Sequence, residues 1–254
     1  MKNTFVPTTV RNGVKRIPLG LVLAVTAILP CLDATASPAP VDLGSSSNFA
    51  VLAASTVTST GGTIVDGNLG LSPGTAVVGF PPGTVTNGTI HATDAPAAQA
   101  QSDLTIAYND AAGRTTPTTV AAGLLGGLTL TPGLYKHPGS PTSLGLTGTL
   151  TLDAQGDPNA VWIFQSDSTV IAEVNSSVVL TNGAQACNVF WQVGSSATLR
   201  TGVIFKGTIM ALASVTLETG ATLDGRVLAR NGAITLDNNI IRAPDRRRRC
   251  RGTI

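Results

Sequence analysis

The clearest pattern in the chain is an alternation of apolar and polar residues that repeats between Ala186 and Ile241. Leu199, Leu217 and Leu236 each follow a threonine, and the interval between successive leucines is nearly constant. That period is too short for a pair of helices and suits one rung, meaning one turn, of a β-solenoid. Stacked rungs would place equivalent side chains roughly 4.8 Å apart.

A looser version of this pattern occupies two other segments of the chain. Short apolar runs punctuated by Gly, Pro and Asn-Gly occupy 41–93 and 143–183, which predicts further rungs there. Counting back one more such interval from Leu199 gives Leu180 as the equivalent position one rung earlier. The sequence therefore predicts a mainly β protein.

The period changes once, between the two sets of rungs. Asp94, Ala95 and Pro96 form a helix start, and apolar residues follow at helical spacing as far as Ala111. We predict one helix over about 95–112. Met210, Leu228 and Trp191 are predicted to point outward from one side of the solenoid, and the helix is expected to cover that side.

A second side of the solenoid is predicted to be flat, uncovered and rich in hydroxyl groups. If the repeated leucines point inward, the following residues point outward: Ser177, Val179, Ser196, Thr198, Ser214, Thr216, Thr235 and Asp237. Two interpretations stay open at this point. Thr and Ser are good strand formers on any exposed sheet. Alternatively, fixed rows of methyl and hydroxyl groups order the water above them and match the lattice of ice.

Composition narrows the possible functions. Charged residues make up 12% of the chain, and between Ser37 and Ile241 acidic residues outnumber basic ones by 12 to 6, which argues against nucleic-acid binding. His91 and His137 are interpreted as capping or loop residues, because neither lies in a catalytic or metal-ligand spacing. Cys187 is predicted to be a thiol in the core. No enzyme activity, cofactor or metal site is predicted.

The chain is predicted to have three parts. Residues 1–36 read as a secretory signal peptide, with basic residues, an apolar run and the small residues Ala34 and Ala36 before Ser37. Residues 37–244 form one domain, and 245–254 form a basic, disordered tail. We therefore expect a secreted protein that is monomeric and not bound to a membrane in its mature form.

Several segments resemble one family, the secreted microbial ice-binding proteins of the DUF3494 type. The matching text includes VDLGSSSNFAVLAASTVTSTG, LTPGLYK, GAQACNVFWQVGSSATL and FKGTIMALASVTLETGATLDGRVLARNGAITLDNN. The resemblance covers 41–244 and implies a discontinuous, right-handed β-solenoid of triangular section with a long helix along one face. It also implies that the first rungs in the sequence pack against the last.

The resemblance adds a function and further site residues. It implies adsorption to ice crystals through the flat face beside the helix, which limits ice growth and recrystallisation. It adds Ser55, Val57 and Thr75 to the outward residues given above, and Thr219 and Thr222 from a Thr-Gly-x-Thr segment. The alternative is a cell-surface adhesin or glycan-binding solenoid without activity on ice.

Overall fold

The structure is a computed structural model that describes residues 1–4, 37–137 and 143–244. The predicted tail and most of the predicted signal peptide lie outside the described residues, so both stay predictions. The chain divides into two units, Met1–Ala34 and Thr35–Ile254, and all the elements below belong to the second. Within the described residues, no helix is long and apolar enough to cross a membrane.

Short strands dominate the described residues, as predicted. A single α-helix, α1 (Ala95–Gly113), separates the strands β1–β7 from β8–β22 in this part of the chain. The strands are β1 (Phe49–Ala53), β2 (Thr56–Thr60), β3 (Ile64–Asp66), β4 (Asn68–Leu71), β5 (Ala76–Val78), β6 (Thr84–Thr86), β7 (Ile90–Ala92), β8 (Thr118–Thr119), β9 (Thr129–Leu130), β10 (Gly133–Lys136), β11 (Leu144–Leu146), β12 (Thr149–Asp153), β13 (Trp162–Ser166), β14 (Val170–Ala172), β15 (Ser177–Thr181), β16 (Val189–Val193), β17 (Ala197–Leu199), β18 (Ile204–Ala211), β19 (Val215–Leu217), β20 (Thr222–Ala229), β21 (Ile234–Asp237) and β22 (Ile240–Arg242).

Parallel pairing arranges the strands into three faces. The threonine face is a separate sheet in the order β11-β14-β17-β19-β21-β2-β5. The helix-covered face contains β8, β10, β13, β16, the second halves of β18 and β20, β1, β4 and β7. The charged face contains β9, β12, β15, the first halves of β18 and β20, β22, β3 and β6. These pairings confirm the predicted solenoid.

The stack is discontinuous in sequence. On the helix-covered face β1 lies between β20 and β4, with Val51 opposite Val227. On the threonine face β2 lies between β21 and β5. The first rungs of the chain therefore complete the stack begun by the last ones, as the resemblance implies.

The rungs differ in length, and this corrects one sequence prediction. Leu199 pairs with Ala172, whereas Leu180 pairs with Leu152 on the charged face. Counting back by a constant interval was wrong because a turn over 182–188 separates β15 from β16. In the two short rungs the chain bends between the same two faces at Gly207 or Gly225, without a loop. A Cβ on Gly225 would lie 1.8 Å from the Gly207 carbonyl oxygen, so this bend requires glycine.

Apolar side chains fill the space between the three faces. The rings of Phe164 and Trp191 stack with centroids 4.0 Å apart, and Phe205 follows at 4.7 Å from Trp191. The prediction that Trp191 points outward is wrong. Trp191 pairs with Ile209 and shares its inward direction, so the neighbouring Phe190 takes the outward position.

The helix covers one face, as predicted. Asp94 caps its start by accepting a hydrogen bond from the Ala97 amide at 3.0 Å. The buried stripe of α1 includes Leu104 and Tyr108, and it packs on outward side chains of the strands such as Met210 and Leu228. The helix thus removes from solvent the apolar surface that these rungs would otherwise expose.

The turn before β16 contains Cys187. Cys187 is disulfide-bonded, so the prediction of a free core thiol is wrong. Its side chain is half-buried rather than enclosed by the core. Both other cysteines of the chain, Cys31 and Cys250, lie outside the described residues.

Candidate functional site: the threonine face

The centre of the threonine face is a column of residues in register, one from each rung. Neighbouring members are in parallel register, which sets them roughly 4.8 Å apart. From one end to the other, the column contains Leu124, Gly145, Ile171, Thr198, Thr216, Thr235, Thr58 and Val78. Four consecutive threonines are therefore flanked at both ends by residues without hydroxyl groups.

The four threonine side chains are directed to solvent. None of Thr58, Thr198, Thr216 and Thr235 is buried, while the alternate residues of their strands are. Among the described residues, no group forms a hydrogen bond with any of the four hydroxyls. Each hydroxyl is thus available to water, and each lies beside a methyl group that cannot bond to water.

The serines beside this column have a structural role instead. The Ser196 hydroxyl accepts a hydrogen bond from the Ser214 amide at 3.3 Å. The Ser214 hydroxyl accepts one from the Ala233 amide at 3.2 Å. These hydroxyls accept hydrogen bonds from backbone amides of the next rung, at the corner before each strand of the face, where the sheet ladder does not supply an acceptor. They also fix the edge of the face.

Charged residues line the opposite edge of the face, and each has a partner. Arg200 forms an ion pair with Glu173 at 3.2 Å, and the Glu218 carboxylate accepts a hydrogen bond from the Thr201 amide at 3.2 Å. The Asp237 carboxylate accepts hydrogen bonds from the Thr219 and Thr60 hydroxyls, which hold the pKa of this carboxyl below its usual value. The charges are thereby tethered along the edge and away from the central column.

Most of the predicted site residues lie together. Thr198, Thr216 and Thr235 lie in the central column, Ser196 and Ser214 beside it, and Asp237 and Thr219 at the charged edge. Ser55 and Thr75 are exposed just before β2 and β5, at the start of the face. Their role in binding ice stays a prediction.

Four predicted residues lie elsewhere. Val57 is fully buried, because it pairs with the inward Ile234. Ser177 and Val179 belong to β15 on the charged face, because the rung before Thr198 is the longer one that contains Ile171. Thr222 begins β20 and points outward on the charged face.

Three members of the central column were not predicted from the sequence: Thr58, Ile171 and Val78. The buried Ser59 concealed the alternation in β2, since a polar residue occupies an inward position there. Matching Val57 to Ile234 by hydrophobicity, rather than matching hydroxyl to hydroxyl, would have found Thr58. Predicting Ile171 would have required the true length of its rung.

A metal site requires several ligating side chains that lie close together. Within 1–4, 37–137 and 143–244, no cluster of three His, Cys, Asp or Glu side chains could hold a metal ion. His91 lies beside the N-cap of α1, with its Nδ1 atom 2.6 Å from the Asp94 carboxylate. His137 Nδ1 lies 3.2 Å from the Val120 carbonyl oxygen in a loop.

The fold and the exposed threonine column define a class: β-solenoids with one face covered by a helix and another face left open. Comparison with known proteins assigns the chain to a family. The sequence profile of the Ice-binding-like family matches residues 51–242. The chain belongs to this family.

Individual relatives agree. An ice-binding protein from Nostoc sp. (strain HG1) is 54% identical over 199 residues, covering 78% of this chain and 72% of the relative. The crystal structure of an ice-binding protein from an Antarctic biological consortium is 52% identical, with a TM-score of 0.77 over 82% of this chain and 92% of the other. An ice-binding protein from the Antarctic ascomycete Antarctomyces psychrotrophicus is 40% identical, with a TM-score of 0.77 over 81% and 99%. These comparisons confirm the family and fold predicted from the sequence.

Proposed function

We propose that this chain binds ice through the threonine face and so limits the growth and recrystallisation of ice crystals. The observation that carries the proposal is the central column: four threonines in register, directed to solvent, with hydroxyls that no described residue engages. Family membership supports the same function, because the relatives named above are ice-binding proteins.

The proposed mechanism uses the two chemical groups of each threonine. The methyl groups restrict the orientations of nearby water, since they offer it no hydrogen bond. The hydroxyl groups hold individual water molecules at intervals set by the strand spacing. A face already ordered in this way adsorbs to a crystal without first losing side-chain or loop entropy, so many weak contacts add up to firm binding.

Rigidity is therefore part of the mechanism. The inward neighbours of the threonines, such as Leu199, Leu217 and Leu236, are fully buried. The serine hydroxyls bonded to backbone amides fix one edge, and the tethered charges fix the other. No cofactor or catalytic group is required, and we propose that the protein is not an enzyme and acts outside the cell.

The first prediction tests the face directly. Thr216→Tyr places bulk above the middle of the central column, which should hold the face away from the crystal and abolish thermal hysteresis. The measurement is the gap between melting and freezing temperatures of a single ice crystal in the purified protein. Circular dichroism and thermal melting should match those of the unaltered protein, because Thr216 points to solvent.

The matched control is Thr151→Tyr. Thr151 points outward from β12 on the charged face, so the same substitution there should leave hysteresis unchanged. Full activity of Thr216→Tyr would show that another face binds ice. An unaltered protein that leaves crystals round, yet binds cells or polysaccharide, would favour an adhesin instead.

A further inference from the structure

The charged face carries an alternating row of charges with an apolar row beside it. In consecutive rungs Lys206, Asp224, Arg242 and Asp66 lie in parallel register and point outward. The parallel row contains Ile204, Thr222, Ile240 and Ile64. Ile204 is 51% exposed and Ile64 39%. This pattern differs from the neutral hydroxyl column of the threonine face.

Ion pairing within the chain uses only part of this charge row. Lys206 Nζ lies 3.5 Å from the Asp224 carboxylate. Arg242 has an aspartate on the rung to either side, yet among the described residues its guanidinium forms no ion pair with either. Arg242 is also exposed. The Asp66 carboxylate accepts a hydrogen bond from Asn87 Nδ2 at 2.8 Å, so Arg242 is the residue of this row that presents unused charge to a partner.

The row of charges is complementary to a second copy of the same row running in the opposite direction. Read from Lys206 the signs are plus, minus, plus, minus; read from Asp66 they are the opposite at every position. A two-fold axis parallel to the strands, passing between β20 and β22, reverses the rung order of a second copy. Asp224 then faces Arg242 of that copy, and Lys206 faces its Asp66. A two-fold axis along the solenoid would instead place like charges together.

The same axis also matches the apolar row. It sets Ile204 opposite Ile64 of the second copy and Thr222 opposite its Ile240, so apolar groups meet in the same step that pairs the charges. Strand direction is kept by this rotation, and the threonine face adjoins the starting edge of the charged strands in each copy. Both threonine faces consequently stay open to solvent.

The geometry points to a self-complementary dimer of this chain, formed by two charged faces in antiparallel rung order. This goes beyond the proposed ice binding and would replace the monomer predicted from the sequence. About six opposed rungs, spaced by about 4.8 Å, and a width of about three residues give a footprint of roughly 300 Å² per copy. Because stable interfaces bury about 800 Å² per partner, the dimer is weak, reversible and sensitive to salt.

The test is sedimentation velocity over a range of protein concentrations, at low and high salt. The unaltered protein should dimerise as concentration rises, and less so at high salt. Asp224→Arg creates two facing arginine pairs, so the dissociation constant should rise about tenfold or more for each. The double variant Asp224→Arg with Arg242→Asp restores opposite charges across the axis and should recover dimerisation.

Glu173→Arg is the matched control. It breaks a comparable surface ion pair at the edge of the threonine face, so it should leave dimerisation unchanged. Thermal melting of each variant checks the fold, and thermal hysteresis of the Asp224→Arg variant checks the threonine face separately. A protein that stays monomeric at the highest concentration overturns the dimer. So does association that ignores the charge swap, including association that depends on residues 245–254.

Discussion

At the residue scale, the side chains of the threonine face divide into those that hold the scaffold and those that face water. Ser196 and Ser214 use their hydroxyls on backbone amides, whereas Thr198 and Thr216, slightly further along the same rungs, leave theirs to solvent. A hydroxyl count of the face would treat all four alike. The structure indicates that serine-to-alanine changes act mainly through the corner geometry and threonine changes through the surface.

Ile171 provides a test of how far the working surface extends. It continues the central column beyond Thr198, and its apolar side chain suits a face that orders water. Ile171→Lys should reduce thermal hysteresis to about half or less, because a hydrated ammonium group must be displaced before this end of the face meets ice. Ile106→Lys, at a 66% exposed position on α1, should have no such effect. Equal activity of the two variants would restrict the surface to the four threonines.

At the element scale, helix α1 stabilises the solenoid by covering the apolar outer side chains of the helix-covered face. Leu104 is fully buried against that face. Leu104→Ala should lower the free energy of unfolding by about 2–5 kcal/mol, because it removes buried methyl groups and leaves a cavity. Ile106→Ala, on the exposed side of the same helical turn, should change it by no more than about 0.5 kcal/mol. Chemical denaturation measures both, and similar losses would show that the helix does not pack as described.

The sequence was sufficient to predict those elements in which the pattern of apolar and polar residues is locally regular. The cap at Asp94 and the apolar stripe placed both ends of α1 almost where the structure has them. The leucines at 199, 217 and 236 gave the correct register because the rungs between them have nearly equal length. The predicted register was wrong at Leu180, because no local sequence signal shows that the turn over 182–188 moves the chain to another face. The predicted outward direction of Val57 was wrong because Ser59, two residues later, places a polar group inside the solenoid.

At the scale of the whole molecule, carboxyl groups make stability dependent on acid. Four aspartates have a pKa held below the usual 3.8, by hydrogen bonds from backbone amides at Asp94 and Asp153 and from hydroxyls at Asp103 and Asp237. A folded-state pKa below the unfolded one contributes stability above the unfolded pKa, and this is lost as pH falls through the folded value. The free energy of unfolding should therefore be level near neutral pH and fall below about pH 4.

Asp103 allows that prediction to be checked at one site. Its carboxylate accepts hydrogen bonds from the Ser45 amide at 2.7 Å and the Ser45 hydroxyl at 2.6 Å, and so joins α1 to the turn before β1. Asp103→Asn should be less stable than the unaltered protein at pH 7, and the difference should shrink as the pH falls through the lowered folded-state pKa of Asp103 and the carboxyl becomes protonated. Urea denaturation at several pH values gives the comparison. A difference that does not change with pH would mean that the charge of Asp103 is not what matters.

The seam of the discontinuous stack runs through the threonine face, between β21 and β2. Thr235 and Thr58 are neighbours in space although most of the domain separates them along the chain. During synthesis the ribosome therefore releases the first rungs long before the strand against which they lie exists. An amino-terminal fragment that ends before the last rung therefore lacks part of the threonine face. The ability to recognise a crystal arises only when the two ends of the domain have met.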